Sequence, residues 1–255
     1  MIIFGGYIRI LILLATLPAL FLAYQVYKLD TIEKEPPKML LHLALWGGIM
    51  IFPAMIIEIA FGWVIDFAFG GYVNIFYILV SNFIGVAMVE EACKYFILKR
   101  RTWASEEFNY RYDGIVYAVC VGAGFAVFEN VLYGFSYGLG TILLRAITAI
   151  PAHIIFGIFM GHYYGEARRM ENIGDPSGSF RYRAYSVIVP LLLHGFYDFA
   201  ASVEEMIWVF WGFVVVLDLI AFRQIKLYAA RDVSVDGDVA YDAAYDEEEK
   251  NGNDF

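Results

Sequence analysis

Seven apolar runs dominate the chain, at roughly residues 7–27, 39–60, 72–98, 114–135, 139–165, 184–203 and 204–228. A helix of about 20 apolar residues is long enough to cross the hydrocarbon core of a bilayer. Such a helix satisfies its own backbone donors and acceptors, and nothing in the pattern suggests barrel strands. The connections between runs are short. The expectation is one all-α, polytopic membrane domain of about seven transmembrane helices in a single bundle over residues 1–228, followed by a tail over 229–255. Composition agrees, because 60% of the 255 residues are hydrophobic and 18% aromatic, too many for a soluble domain. The first run lacks a basic segment ahead of it and a small-residue cleavage site behind it, and its apolar core is too long for a secretory leader. It reads as a retained helix. Cys93 and Cys120 both fall inside apolar runs, which leaves no disulfide framework and no C-x-x-C site.

The basic residues set an orientation. Lys28, Lys34 and Lys38 lie between the first and second runs, and Lys99, Arg100, Arg101 and Arg111 between the third and fourth. Arg168, Arg169, Arg181 and Arg183 lie between the fifth and sixth, and Arg223, Lys226 and Arg231 close the seventh. These are 14 of the 18 Lys and Arg residues, all at alternate connections, while the other connections carry none. The positive-inside rule then places the chain in the cell membrane with its N-terminus outside and its C-terminus cytoplasmic. The net charge of −9 is mostly a property of the tail, where residues 231–255 carry nine acidic groups against two basic ones. That acidic tail reads as a solvated, disordered cytoplasmic end. No glycine-rich phosphate loop and no basic–aromatic interleaving suited to nucleic acid is present; the lipid bilayer is the evident partner.

Several ionisable residues interrupt this apolar pattern. They are Glu90, Glu91 and Lys94 in MVEEACKYF, Glu129 beside Asn130 in FAVFENVLY, His153 in AIPAHIIFG, and His194 with Asp198 in PLLLHGFYDF. A charged group at mid-membrane costs roughly 2.5–3.5 kcal/mol on the insertion scale, so each marks a functional hypothesis. At about 100° per residue, Glu90, Lys94 and Glu91 share one sector of their helix. His194 and Asp198 are i,i+4 neighbours on one face, and Glu129, Asn130 and Tyr133 share a sector of theirs. Counted at about 1.5 Å per residue from the basic ends, Glu90 lies roughly 13 Å deep, His194 roughly 16, His153 roughly 18 and Glu129 roughly 24. Three of the four levels agree and Glu129 stands apart. Pro151 and Pro190 predict kinks beside the two histidines, where a wet cavity is easiest to build. Gly157, Gly161 and Gly165 form a G-x-x-x-G-x-x-x-G ridge that predicts close helix packing.

Two glutamates and two histidines support two kinds of hydrolysis. In one, a carboxylate activates water as general base while a histidine assists at the oxyanion or leaving group. In the other, His153, His194 and a carboxylate such as Glu129 hold zinc and a second glutamate is the base. No H-E-x-x-H pattern demands a metal. Other readings use the same residues: a proton or ion relay in a transporter, or a purely structural polar network in a scaffold. His42 and His162 read as structural or interfacial. Glu58 and Asp66 fall near the outer end of the second helix, close to water. Arg145 and Asp218 suit a salt bridge as well as a role.

The motifs EEACK (90–94), FAVFEN (125–130), HIIF (153–156) and HGFYD (194–198), in this order on successive helices, resemble those of the PrsW family of intramembrane proteases. The likeness covers about residues 75–200. A more distant similarity is to the type II CAAX prenyl proteases, which typically show E-E-x-x-x-R where this chain has Lys94 one position earlier. The resemblance implies cleavage of a single-pass membrane protein, typically an anti-sigma factor, as the first cut of a signalling cascade. It implies Glu90 and Glu91 as the catalytic pair, His194 as essential and oriented by Asp198, with Glu129 and His153 completing the site. Lys94 and Asn130 are then supporting residues. The family is classed with metallopeptidases whereas its CAAX relatives look glutamate-dependent, so zinc remains open as a cofactor; prenyl-protein cleavage is an alternative activity.

Overall fold

The structure, a computed structural model, describes residues 2–237, with side chains from Ile8 onward. Among the described residues, seven helices are long and apolar enough to span a membrane: α1 (Ile8–Leu29), α2 (Pro37–Ala68), α3 (Ile75–Thr102), α4 (Arg111–Tyr137), α5 (Leu139–Asn172), α6 (Pro176–Ser202) and α7 (Glu204–Ala230). They form an all-α bundle; among the described residues the only β pairing is an isolated antiparallel bridge between Tyr110 and Ser234. The peripheral helices carry large apolar side chains outward, such as Leu13, Leu17 and Phe21 on α1 and Ile56, Trp63 and Phe67 on α2. That belt is the lipid-facing surface of a multi-span membrane protein.

α4 and α5 form the centre, mostly buried along their length where the other spans are mostly exposed. The predicted glycine ridge explains how they approach. A Cβ at Gly161 would lie 2.4 Å from the Gly114 carbonyl oxygen, and one at Gly165 would lie 2.3 Å from that of Arg111. Bare backbone here lets two helices touch along their length, and dispersion between them supplies association that lipid tails do not. Gly124 plays the same part on the other flank of α4, against the Ala44 carbonyl of α2.

Three spans are interrupted where the sequence removes or strains a backbone bond. α2 breaks at Met50 between helical segments Pro37–Ile49 and Ile51–Ala68. Pro53 follows and cannot bond the Ile49 carbonyl. α5 breaks at Thr148, between Leu139–Ile147 and Ala149–Asn172, because Pro151 cannot bond the Ile147 carbonyl. α3 carries a π-helical stretch, Ser81–Ala87, immediately before Met88, the kind of local widening found often at functional sites. In α6, Pro190 sits within a helix that runs without a break from Pro176 to Ser202.

The connections rich in Lys and Arg gather at one end of the bundle. There the chain continues past α7. The Arg111 N–H donates to the Val233 carbonyl at 3.0 Å, the Val235 N–H donates to that of Asn109 at 2.9 Å, and Val235 is buried. Residues 233–235, just past the 228/229 boundary expected from hydropathy, thus pack against the start of α4. The remainder of the acidic tail lies outside the described residues.

Glu35, in the connection between α1 and α2, is also buried at this end and accepts a 2.6 Å hydrogen bond from the Tyr117 hydroxyl. Burial pushes its carboxyl up from 4.5 to about 7, against the opposing effect of the Tyr117 bond. A carboxyl raised in the folded state stabilises the fold fully below its unfolded value, and that contribution is lost as pH rises through about 7. Glu35→Gln, neutral at every pH, should therefore lose less thermal stability than the wild type between about pH 5 and about pH 8. Parallel unfolding curves for the two proteins would contradict this assignment.

Candidate active site

The π-helical stretch of α3 delivers Glu90, Glu91 and Lys94 to the bundle interior, where Glu91 is wholly buried and the other two are almost so. The Lys94 ammonium donates to Glu90 Oε2 at 3.1 Å and to Glu91 Oε1 at 2.7 Å. It meets His153 Nδ1 at 3.0 Å and lies 4.3 Å from the centre of the Phe125 ring. Lysine has no acceptor, so His153 Nδ1 must accept this bond. The ring proton is then on Nε2, which donates to Glu129 Oε2 at 2.8 Å. Both nitrogens of His153 are thus engaged inside the protein.

Glu129 is held in turn by Arg145, whose guanidinium lies 2.7 Å from Glu129 Oε1 and packs 3.8 Å over the Tyr133 ring. Arg145 Nε also donates to Asn130 Oδ1 at 3.2 Å, and Asn130 Nδ2 donates to the Ile142 carbonyl at 3.5 Å. Asn130 therefore ties α4 to the first half of α5, away from the cavity. Arg145 makes the salt bridge its sequence position allowed, and the structure puts it inside the polar network.

On the other flank, His194 Nδ1 lies 2.8 Å from Glu91 Oε1. Its Nε2 lies 3.1 Å from Asp198 Oδ2 and 3.9 Å from Glu90 Oε2. The ring stacks on Phe156 with centroids 4.9 Å apart. A neutral imidazole donates from one nitrogen only, so close contacts to both Glu91 and Asp198 require one further proton among the three groups. His194 and Asp198 both face a cavity of about 610 Å³.

Glu90, His153 and His194 line the inner part of this cavity, which continues past Tyr133, Arg145 and Asp198 to Tyr137, Ser202 and Ile207. The last three stand at helix ends opposite the basic connections, so the cavity reaches towards that face. Glu91 does not line it. The two adjacent glutamates thus differ in kind: Glu90 faces open space, while Glu91 lies behind it, gripping Lys94 and His194.

The structure brings Glu90, Glu91, Lys94, Glu129, His153, His194 and Asp198 into one network, including Glu129, whose depth had set it apart. It also adds one. Glu58 lines the cavity, and its Oε1 is buried without a hydrogen-bond partner among the described residues. The sequence placed it near the outer end of the second helix, close to water, with no sign that it faces the site.

The four residues Glu90, Glu91, His153 and His194 each offer one ligand atom, all within 4.8 Å of one another. As donor types they suit zinc. Glu129, a candidate ligand in the sequence, stands behind His153 as a partner that orients its ring. The arrangement does not suit a resident dication, because the Lys94 ammonium already bridges three of the four groups at 2.7–3.1 Å.

An interior carboxylate–histidine network opening into a cavity within a seven-helix bundle defines a polytopic membrane protein with the parts of a hydrolase. Comparison with known proteins makes this specific: the chain belongs to the PrsW family, since the model described as "PrsW family intramembrane metalloprotease" matches residues 35–223. Among proteins named Protease PrsW, it is 31% identical over 210 residues to that of Oceanobacillus iheyensis, covering 82% of this chain and 91% of the relative. It is 31% identical over 219 residues to that of Bacillus subtilis, covering 86% and 94%. Against that of Clostridioides difficile it is 33% identical over 199 residues, covering 76% and 80%. No solved structure matches the chain.

Proposed function

We propose that this chain is an endopeptidase that cuts a single-pass membrane protein, an anti-sigma factor in a site-1 cleavage, within or beside its transmembrane segment. The observation that carries the reading is the exposure of Glu90 and the His194–Asp198 pair to one cavity inside an intramembrane protease fold. The N-terminus lies outside and the C-terminus in the cytoplasm, supported by the clustering of basic connections at one end of the bundle. The cavity then extends towards the outer leaflet.

Glu90 is the general base. It takes a proton from water as the water oxygen bonds to the scissile carbonyl carbon, and the carbonyl π electrons move to oxygen. A proton held between His194 and Asp198 stabilises the resulting oxyanion, which lies in a site with little competing water. Collapse reforms the carbonyl and breaks the C–N bond, while Glu90 returns its proton to the departing amine. Glu91 and Asp198 orient His194 from its two ring nitrogens. His153 is committed to Lys94 and Glu129, which supports His194 as the assisting histidine.

The test is cleavage by purified protein in vesicles that also contain a single-spanning anti-sigma factor. Wild-type protein is expected to release two fragments, and His194→Ala is expected to release none. Absence of cleavage by wild-type protein, with proton or ion flux across the vesicle wall instead, would replace this reading with a transporter.

A further inference from the structure

The four-residue donor set has the composition of a metal site, yet its geometry is organised by a side chain. Lys94 Nζ is 2.7 Å from Glu91 Oε1, 3.1 Å from Glu90 Oε2 and 3.0 Å from His153 Nδ1. Three acceptors around one ammonium match the three protons that a lysine donates. A cation reaching the same three groups would share the ammonium's place or lie against it. Two such positive charges in a buried, weakly screened site repel strongly. Proximity in sequence makes the lysine hard to displace, since it stands one helical turn beyond Glu90 and Glu91 on the same helix face. The Phe125 ring beneath the ammonium adds a cation–π contact that holds it there.

We propose that Lys94 is a built-in cation that takes the electrostatic place of a metal ion, so that this chain assembles its Glu90–Glu91–His153 site without a bound metal. Lys94 is a positioning residue: it neutralises the glutamate pair and fixes the tautomer of His153. The inference rests on the protease reading for its relevance to catalysis. Its test rests on metal binding alone, so either can fail without the other.

Purified wild-type protein should contain far less than one zinc per chain by elemental analysis. It should show no visible cobalt(II) absorption on titration with cobalt chloride, and no change in unfolding temperature with a chelator. Lys94→Gln should vacate the position. It should gain the cobalt absorption expected of nitrogen and oxygen ligands, and its unfolding temperature should rise when zinc chloride is added. Lys94→Arg, which keeps a cation, should stay metal-free. One zinc per wild-type chain, with an unfolding temperature that falls on chelation, would overturn the proposal. So would a folded Lys94→Gln protein that takes up neither cobalt nor zinc. Where Lys94→Gln does not fold, the wild-type metal content and chelator response decide the matter.

Discussion

Glu90→Gln is expected to lower the cleavage rate by about 10²–10⁴-fold, the usual contribution of a positioned general base, and to lower the unfolding temperature less than Glu91→Gln does, because Glu90 makes the longer contact with Lys94 and faces the cavity. The amide keeps the size of the side chain and an oxygen for Lys94, but it cannot take a proton from water. Glu91→Gln is expected to behave differently. Its carboxylate makes the shorter contact with Lys94 and also holds His194 at 2.8 Å, and it is wholly buried. Removing one member of a buried charge pair destabilises by about 3–5 kcal/mol. Glu91→Gln should therefore lose stability together with activity. Rates and thermal unfolding measured on both variants separate the two roles, and the reverse pattern would exchange them.

Gly161→Val is expected to have the largest effect on the fold. A Cβ there meets the Gly114 carbonyl oxygen at 2.4 Å and the Ile115 Cα at the same distance, both backbone atoms that no rotamer change can move aside. Overpacking a filled interface costs about 1–3 kcal/mol and occasionally more, and a seam of backbone against backbone belongs at the upper end. The same seam sets the position of Glu129 on α4 relative to His153 on α5. Even a partly folded variant should lose the 2.8 Å contact between them, and activity with it. Gly62→Ala is the control, because a Cβ there meets nothing within 4 Å. Its unfolding temperature should match the wild type.

The spans were legible because lipid demands long apolar runs, and the polar cluster because lipid penalises charge. Helix ends were less legible for a related reason. Hydropathy stops counting at the first charges, but helical hydrogen bonding continues through polar residues that reach water. The sixth span starts at Pro176, ahead of the predicted residue 184, and the fifth runs on to Asn172 through Glu166, Arg168 and Arg169. That error also explains why Glu129 seemed out of level. Counted from the observed basic ends, Glu129, His153 and His194 lie 18, 19 and 18 residues along their helices, while Glu90 lies 12 from the end of its own, so the helix ends do not share one level. The break of α2 at Met50 was invisible in the apolar pattern. So was the place of Glu58 on the cavity wall. The difference between Glu90 and Glu91 depends on which way each carboxylate turns, and adjacent positions in a sequence carry no such information.

Peptide hydrolysis is expected at Glu90, inside the bundle and towards the end away from the basic connections. The most direct measurement is mass spectrometry of the two fragments released from a single-spanning substrate by wild-type protein in vesicles, alongside Glu90→Gln. One cut is expected, in the outer half of the substrate's apolar segment or just beyond it, and it should disappear in the variant. A cut on the cytoplasmic side, or undiminished cutting by Glu90→Gln, would contradict it.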